Sequence, residues 1–295
     1  MEKILFSIYR VLVPKPLRTR ILKKNLRRKI LAYFAEIPDD KINEDQKQVL
    51  NYLKFNPVSI FPYPFQDLYL PVNVEVFSDP ETGMKYVNQD GKRMYFKKRW
   101  NMKRIQKGCS ELAKEQDFDS PHRYISDDFS PGSNDVLADI GAAEGNFSLS
   151  VIEKIRKAYL FEYDPAWIAA LSKTFAPWKD KVEIVPKYVG DSDDRKHMSL
   201  DSFFKKNNDV TFLKIDVEGT EQKVLDGCRS VFESKIPLKV ALCTYHKNND
   251  EKDFAALLLG YGFKVTFSKG YMINFYDKKI KAPWLRRGLI RAVRE

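Results

Sequence analysis

A regular alternation of short apolar segments and helical segments, which begins at Asn134, is the feature that most constrains the fold. Segments with the composition of buried β-strands recur as "DVLADI", "AYLFE", "VEIVP", "VTFLKID" and "LKVALCT". Repeated βα units of this kind form a parallel sheet with helices on both faces. The helix after "IDVEG" agrees with this pattern, because its apolar face is formed by Val224, Leu225, Cys228, Val231 and Phe232. The sequence therefore predicts an α/β fold.

The end of this repeating region predicts a change of strand direction. After a helix over residues 250–261, the strand-like segments "FKVTFS" and "YMINFY" are separated only by Lys269 and Gly270. So short a link cannot hold a crossover, and the pair is predicted to form an antiparallel hairpin. Five parallel strands followed by a C-terminal antiparallel hairpin are typical of the class I methyltransferase Rossmann-like sheet, and this order differs from that of a dehydrogenase domain.

The segments that precede the sheet form an N-terminal α+β appendage. Patterns typical of a helix over 43–54, of strand-turn-strand units around "DPETG" and "NQDGK", and of a helix over 100–116 follow one another. We expect this region to cover the substrate side of a site in the sheet. The predicted division is a basic amphipathic helical segment broken by Pro14 and Pro16 (1–35), an accessory region (36–133), the sheet domain (134–277) and a basic C-terminal tail (278–295).

The net charge of +11 is concentrated at the two ends of the chain. Residues 1–30 carry ten Lys and Arg against one Glu, and residues 278–295 carry seven against one Glu, which leaves −4 between them. A nucleic-acid groove normally spreads its charge through the folded body, so nucleic acid is not the expected partner. Basic ends on an acidic body favour an anionic membrane surface, contacted through residues 1–35 and 278–295.

Compartment signals favour the cytoplasm. The sequence has no apolar run of about 18 residues and no signal-peptide pattern. Its three cysteines are far apart and form no CxxC pair, so neither a disulfide framework nor a zinc site is expected. We predict a cytoplasmic protein with peripheral contact at the inner face of the cell membrane.

The turn after the first strand, "DIGAAEGNFSL", predicts the ligand of the sheet. Ligands of open parallel sheets lie beyond the carboxyl ends of the strands, where the strand order reverses. Ala143 stands where a G-x-G-x-x-G fingerprint needs its second glycine, and no P-loop pattern is present. Asp139 and Glu144 disfavour a pyrophosphate and suit a cation. The amino or sulfonium group of S-adenosylmethionine is such a cation.

Other strand ends carry further polar residues. Glu162 ends the second strand and can accept hydrogen bonds from both ribose hydroxyls, whereas Asp164 before Pro165 is better suited to capping the next helix. Gly190 and Asp191 follow the third strand and are candidates to flank the adenine.

The motifs "DIGAAEGNFSL", "FEYDP" and "LKIDVEGTEQKVLDG", in this order, resemble the FkbM-type methyltransferase family over residues 121–276. That family uses S-adenosylmethionine and mostly methylates hydroxyl oxygens, on sugars among other substrates. It more often has Asn where Ala143 stands. The resemblance implies cofactor roles for Asp139, Gly141, Gly145, Glu162 and Asp216. Neighbours expected in the same site are Ala142, Ala143, Asn146, Phe147, Tyr163, Gly190 and Asp191.

The catalytic base has two candidates at strand ends. His246 in "CTYHKNND" has the better matched pKa, and the alternative is the Asp216 and Glu218 pair of "IDVEG". His122, Arg123 and Tyr245 are expected to contact the substrate. Asp216 and Glu218 lack a third ligand at metal-site spacing, so no metal is predicted.

These observations predict an O-methyltransferase that acts on a saccharide or glycolipid acceptor in polysaccharide biosynthesis. A nucleic-acid (RNA) methyltransferase is an alternative that the net charge supports. A non-catalytic, membrane-associated module that retains the fold is a third. Calorimetry with S-adenosylmethionine distinguishes it from the other two.

Overall fold

The computed structural model describes residues 14–295 as α-helices and β-strands joined by short 3₁₀ turns. In chain order the elements are α1 (Lys15–Ala35), α2 (Glu44–Phe55), β1 (Phe77–Ser78), β2 (Lys85–Gln89), β3 (Lys92–Tyr95), α3 (Met102–Glu115), β4 (Val136–Ile140), α4 (Asn146–Val151), β5 (Lys157–Phe161), α5 (Pro165–Thr174), β6 (Val182–Val185), β7 (Tyr188–Val189), β8 (His197–Met198), α6 (Leu200–Phe204), β9 (Phe212–Ile215), α7 (Glu221–Asp226), α8 (Arg229–Glu233), β10 (Leu238–Cys243), α9 (Asp250–Gly260), β11 (Lys264–Phe267) and β12 (Leu289–Arg294).

A seven-stranded sheet with the order β11-β12-β10-β9-β4-β5-β6 is the centre of the molecule. The five strands from β10 to β6 are parallel to one another, and β12 is antiparallel to both of its neighbours. Chain order reverses between β4 and β9, where Ile140 pairs with Ile215. Apolar clusters cover both faces of the sheet. The predicted α/β class with a class I methyltransferase sheet is confirmed.

The predicted hairpin partner was wrong. β11 pairs with β12, so that Thr266 lies opposite Arg291, and "YMINFY" is not part of the sheet. Instead Tyr271, Met272, Ile273 and Phe275 are buried in a third apolar cluster with residues of α1 and α2. A short link made a hairpin plausible, but the apolar side chains of this segment are buried against helices that are distant in sequence.

The pairing of β12 also shows that residues 278–295 are not simply a basic tail. Its last residues form β12, between β10 and β11. The guanidinium of Arg294 donates to the carbonyl oxygens of Phe232 and Ile236, and that of Arg291 donates to the carbonyl oxygen of Arg123. These arginines hold the inserted strand, because buried carbonyl groups need donors. They are not available to an external anion.

Helix α1 is continuous from Lys15 to Ala35, whereas the sequence predicted a helical segment broken by Pro14 and Pro16. Pro16 lies in its first turn, where a proline is tolerated because the N–H it lacks would have no partner there. The second half of the helix is anchored in the third apolar cluster by Leu26, Ile30 and Phe34. The predicted helical residues 1–13 lie outside the described residues. From residue 14 onward, no helix is long and apolar enough to cross a membrane.

The accessory region has the predicted local elements. Helix α2 begins with a capping box, in which Asn43 accepts from the Gln46 N–H and the Gln46 side chain accepts from the Asn43 N–H. Strands β1 to β3 form a small antiparallel sheet. The sheet is joined to the main domain where the Tyr95 N–H donates to Thr174 Oγ1 at 2.9 Å. Helix α3 then extends towards the carboxyl ends of the main strands.

Gly288, immediately before β12, provides a test of the strand insertion. A Cβ at this position would lie 2.1 Å from the carbonyl oxygen of Pro121. We expect Gly288→Ala to lower the free energy of unfolding by about 3 kcal/mol, because backbone cannot move away as a flexible side chain can. Gly260→Ala is the matched control, since a Cβ there meets no atom within 4 Å. Urea unfolding of both variants checks this, and equal stabilities would contradict the close approach.

Candidate active site

A pocket of about 940 Å³ opens at the carboxyl ends of β4, β5 and β9, where the strand order reverses. Residues from the accessory region close one side of it, namely Leu112 and Glu115 of α3 and Tyr124. Residues predicted from sequence to bind a cofactor account for much of the remaining wall: Asp139, Gly141, Ala142, Ala143, Asn146, Phe147, Glu162, Tyr163, Gly190, Asp191 and Asp216.

The turn after β4 brings backbone from two strand ends together. Gly141 has φ +80°, and a Cβ on it would lie 2.1 Å from the carbonyl oxygen of Asp216. Ala143 also has a left-handed backbone, with φ +48°. Asn tolerates this conformation better than Ala, which is consistent with the residue more common in the resembling family. Gly145 does not line the pocket, and a Cβ there would meet Leu171 and Phe175 instead. Gly145 thus allows close helix packing, and its contact with a cofactor stays a prediction.

Asp139 belongs to a buried ion pair. Its carboxylate accepts from Ser148 Oγ at 2.7 Å and lies 2.9 Å from Lys214 Nζ. Lys214 also donates to the carbonyl oxygen of Gly141 at 2.8 Å. Burial acts to lower the pKa of Lys214, but the negative charges of Asp139 and Asp216 raise it well above its usual value. Sequence reasoning missed Lys214, although a lysine inside the apolar segment "TFLKI" was a signal for an internal partner.

Glu162 is held at the edge of the pocket by backbone donors. Its carboxylate accepts from the Ala143 N–H at 3.1 Å and from the Asp164 N–H at 2.7 Å. Asp164 itself caps α5 through the Ala166 N–H, which was the role expected for it. The rings of Tyr163 and Tyr188 lie 4.2 Å apart beside Gly190 and Asp191 in the same wall.

Asp216 is the centre of the polar network on the other side of the turn. Its Oδ2 accepts from the Tyr124 hydroxyl at 2.8 Å and lies 3.5 Å from His122 Nε2. Its Oδ1 is buried and has no hydrogen-bond partner within residues 14–295. Burial acts to raise the pKa of Asp216, but His122 and the positive charges of Lys214 and His246 outweigh it. The pKa of this carboxyl is therefore well below its usual range.

His246 is surrounded by carboxylates. Its Nδ1 lies 3.0 Å from Glu221 Oε1, and its Nε2 lies 3.7 Å from Glu218 Oε2 and 3.9 Å from Asp216 Oδ1. Burial lowers the pKa of His246, but hydrogen bonding and charge from Glu218, Glu221 and Asp216 raise it to about 10. The imidazole is thus protonated at neutral pH. This corrects the expectation of a well-matched pKa, because a protonated ring cannot accept the acceptor's proton.

The donor atoms of Asp216, Glu221 and His246 all lie within 4.8 Å of one another, a spacing that a metal ion could bridge. His246 would have to lose a proton before it could bind a metal ion, since an imidazolium ring has no free lone pair. The absence of a metal therefore stays a prediction.

Of the three predicted substrate contacts, two do not line the pocket, and their contact with a substrate stays a prediction. His122 is 1% exposed, and its Nε2 lies 3.5 Å from Asp216 Oδ2. Arg123 lies over the ring of Phe118 and does not line the pocket. Tyr245 does line it, as does Glu218.

Two acids in the pocket wall have a pKa above the usual range of a carboxyl group. Burial raises the pKa of Glu144 and that of Glu115 to about 7 each. Sequence reasoning noted Glu144 but missed Glu115 and Tyr124, which come from the accessory region. No motif marks these residues, and only the fold brings them to the pocket.

Comparison with known proteins identifies the domain. Residues 187–265 match the family model of the methyltransferase FkbM domain. This part of the chain is therefore similar to an FkbM methyltransferase domain. The predicted family is confirmed over these residues, which include β9, Asp216 and His246.

Individual relatives of the chain are distant. Over 85 residues it is 34% identical to a probable ribosomal RNA small subunit methyltransferase A of Methanococcoides burtonii, which covers 28% of this chain and 30% of that protein. A methyltransferase FkbM structure from Methylobacillus flagellatus KT shares 15% identity, with a TM-score of 0.47, and the match covers 92% of this chain and 58% of that chain. A putative RNA methyltransferase from Pyrococcus horikoshii has 16% identity and a TM-score of 0.35, over 64% of this chain and 82% of its own. The chain thus spans less than a third of its curated relative and under two thirds of the first structure.

The pocket fits the predicted cofactor, S-adenosylmethionine. Its volume suits a ligand of that size. Glu162 presents a carboxylate fixed by two backbone donors, with lone pairs left for ribose hydroxyls. Glu115 and Glu144 carry the desolvation cost of burial, which a cationic ligand would offset.

The protonation of His246 can be tested by pH titration. A histidine whose folded pKa is raised from its usual value to about 10 stabilises the folded state fully below pH 6.5, and this stabilisation is lost as the pH rises through 10. We therefore expect the wild-type chain to lose stability between pH 6.5 and 10 relative to the His246→Gln variant. Urea unfolding of both proteins across this range measures the difference. If the difference in stability between the two proteins does not change with pH, His246 is not charged in the folded state.

Proposed function

We propose that the chain is an S-adenosylmethionine-dependent O-methyltransferase whose acceptor is a hydroxyl of a saccharide or glycolipid. The observation that carries this proposal is the half-buried carboxylate of Asp216. It lies in the wall of the pocket of a methyltransferase domain, with an Oδ1 that has no hydrogen-bond partner among the described residues. An acceptor hydroxyl beside it would supply the missing donor.

Cofactor binding is assigned to the turn after β4 and to the strand ends around it. Glu162 would bind the ribose hydroxyls, and Tyr163 with Gly190 and Asp191 would flank the adenine. Glu115 and Glu144 would face the cationic part of the ligand and become ionised beside it. When bound, S-adenosylmethionine supplies an electrophilic methyl group.

The chain's own residues orient the acceptor and take its proton. Tyr124 fixes the carboxylate of Asp216 through a 2.8 Å hydrogen bond, and His122 together with the positive charges of Lys214 and His246 keeps it ionised. Oδ1 of Asp216 accepts the hydrogen bond from the acceptor hydroxyl, and then its proton as the new carbon–oxygen bond forms. A carboxylate with a low pKa suffices, since a hydroxyl oxygen that is gaining a methyl group becomes a strong acid. Orientation supplies much of the rate in such a displacement.

A nucleic-acid acceptor is the second candidate, because the similar protein from Methanococcoides burtonii is a probable ribosomal RNA methyltransferase. The distribution of charge favours the saccharide. Residues 31–277 carry a net charge of −4, and the arginines of β12 donate to carbonyl oxygens of the chain. Binding to RNA with a steep dependence on salt would support the alternative.

Asp216→Asn tests the proposed role of the carboxylate. We expect methyl transfer to fall by about 10²- to 10⁴-fold, because an amide cannot accept the proton. Affinity for S-adenosylmethionine, measured by calorimetry, should change much less. Mass spectrometry of glycans from a gene-deletion strain, complemented with either form, gives the transfer readout, since each missing methyl group lowers the mass by one CH₂.

Asp226→Asn is the control, because Asp226 pairs with Arg229 and does not line the pocket. It should restore the glycan mass as the wild type does. Glycans that are fully methylated with Asp216→Asn would contradict the proposal, and unmethylated RNA in the deletion strain would favour the alternative.

Peripheral membrane contact is proposed for the first half of α1. Leu17, Ile21 and Leu22 are exposed there, on a helix whose second half is anchored in the core. The helix carries eight Lys and Arg and no acidic residue. Apolar side chains inserted between anionic headgroups, with basic residues around them, are typical of helices that lie in the lipid interface.

Replacing Leu17, Ile21 and Leu22 together by Ser should release the protein from anionic vesicles. The affinity should fall at least about tenfold, because three buried apolar side chains are lost on the lipid side. Co-sedimentation with phosphatidylserine-containing vesicles measures it. Substitution is preferred to deletion of the helix, since Leu26, Ile30 and Phe34 belong to the core. Unchanged sedimentation would contradict a membrane role for α1.

A further inference from the structure

A second pocket, of about 590 Å³, lies next to the cofactor pocket. The two pockets share Leu112 of α3 and Asn146 at the start of α4 as lining residues. The remaining wall of the second pocket comes largely from the accessory region. A molecule in the second pocket would therefore adjoin one bound in the first, as a methyl acceptor must adjoin its donor.

The lining of the second pocket combines aromatic and other apolar side chains with amides and a single carboxylate, that of Glu75. Tyr69 and Phe77 supply the rings, and the amide side chains are Asn73, Asn88, Gln89 and Gln116. Within residues 14–295 no Lys, Arg or His lines this pocket, so a phosphate or sulfate group would find no counter-charge. Neutral polyols such as sugars match this composition, because rings pack against their C–H faces and amides both donate to and accept from hydroxyls.

Two of these amides have a hydrogen-bonding atom without a partner. Gln89 donates from Nε2 to the carbonyl oxygen of Asn146, and its buried Oε1 is unpartnered in the described part of the chain. Gln116 accepts at Oε1 from the Tyr124 N–H, and its buried Nε2 likewise has no partner there. The backbone partners determine which end of each amide is which. One free acceptor and one free donor therefore remain, and leaving such buried atoms unpaired is costly.

We infer that this second pocket binds the body of the acceptor, a neutral sugar, through Gln89 and Gln116, while the reacting hydroxyl reaches Asp216 in the adjoining cofactor pocket. The inference rests on the proposed function and adds the location and chemistry of acceptor binding. Gln89 adjoins the turn after β4 through Asn146, and Gln116 adjoins Asp216 through Tyr124. Sugar binding is thus connected on both sides to residues of the cofactor pocket.

Binding of a panel of methyl glycosides of neutral hexoses to the full chain tests the inference, with calorimetry as the readout. We expect at least one glycoside to bind the wild type. Gln116→Leu and Gln89→Leu should each weaken its binding by about tenfold, since each removes a hydrogen bond and leaves sugar hydroxyls unpaired. Affinity for S-adenosylmethionine should stay within about twofold of the wild type, because neither glutamine lines the cofactor pocket.

Gln222→Leu is the matched control, since Gln222 is another half-buried glutamine and lies outside both pockets. If one pocket variant does not fold, the other tests the inference alone. Equal glycoside binding by the wild type and a folded pocket variant would overturn it. So would a wild type that binds S-adenosylmethionine but none of the glycosides. A wild type that binds glycosides through these glutamines but not S-adenosylmethionine would instead overturn the proposed function.

Discussion

The buried ion pair between Asp139 and Lys214 is the interaction on which the rest of the site depends. It joins β4 to β9 at the position where strand order reverses, and Lys214 also holds the carbonyl oxygen of Gly141. A buried charge that loses its partner is strongly unfavourable, so the two strand ends cannot separate without a large cost. The close approach of Gly141 to Asp216, and with it the shape of the pocket, follows from this pairing.

Acids of this pocket have pKa values shifted in opposite directions. Asp216 is kept ionised by the cations around it, and His246 is kept protonated by its carboxylates. Burial instead raises the pKa of Glu115 and that of Glu144 to about 7 each. Environments that shift the pKa values of acids in opposite directions are typical of functional sites.

The strand-to-helix alternation was sufficient to predict the parallel sheet, because β4, β5, β9 and β10 are buried on both faces and their apolar runs are nearly continuous in sequence. Capping residues such as Asn43 and Asp164 were also predictable, since a cap acts within a few residues. The last strand was not predictable in the same way. Residues 289–294 and 271–276 are both apolar enough for a sheet, and contacts with α1 and α2 decide between them.

The sequence by itself determined the fold class, the position of the ligand crevice and the FkbM family, because these depend on local periodicity and on short motifs at strand ends. Tertiary structure alone decided the role of each charged group. His246 looked like a base until three carboxylates raised its pKa, and the arginines of the C-terminal end looked like a membrane contact until β12 placed them against buried carbonyl groups. The physical reason is that protonation and hydrogen bonding depend on neighbours in space, and those neighbours are distant in sequence.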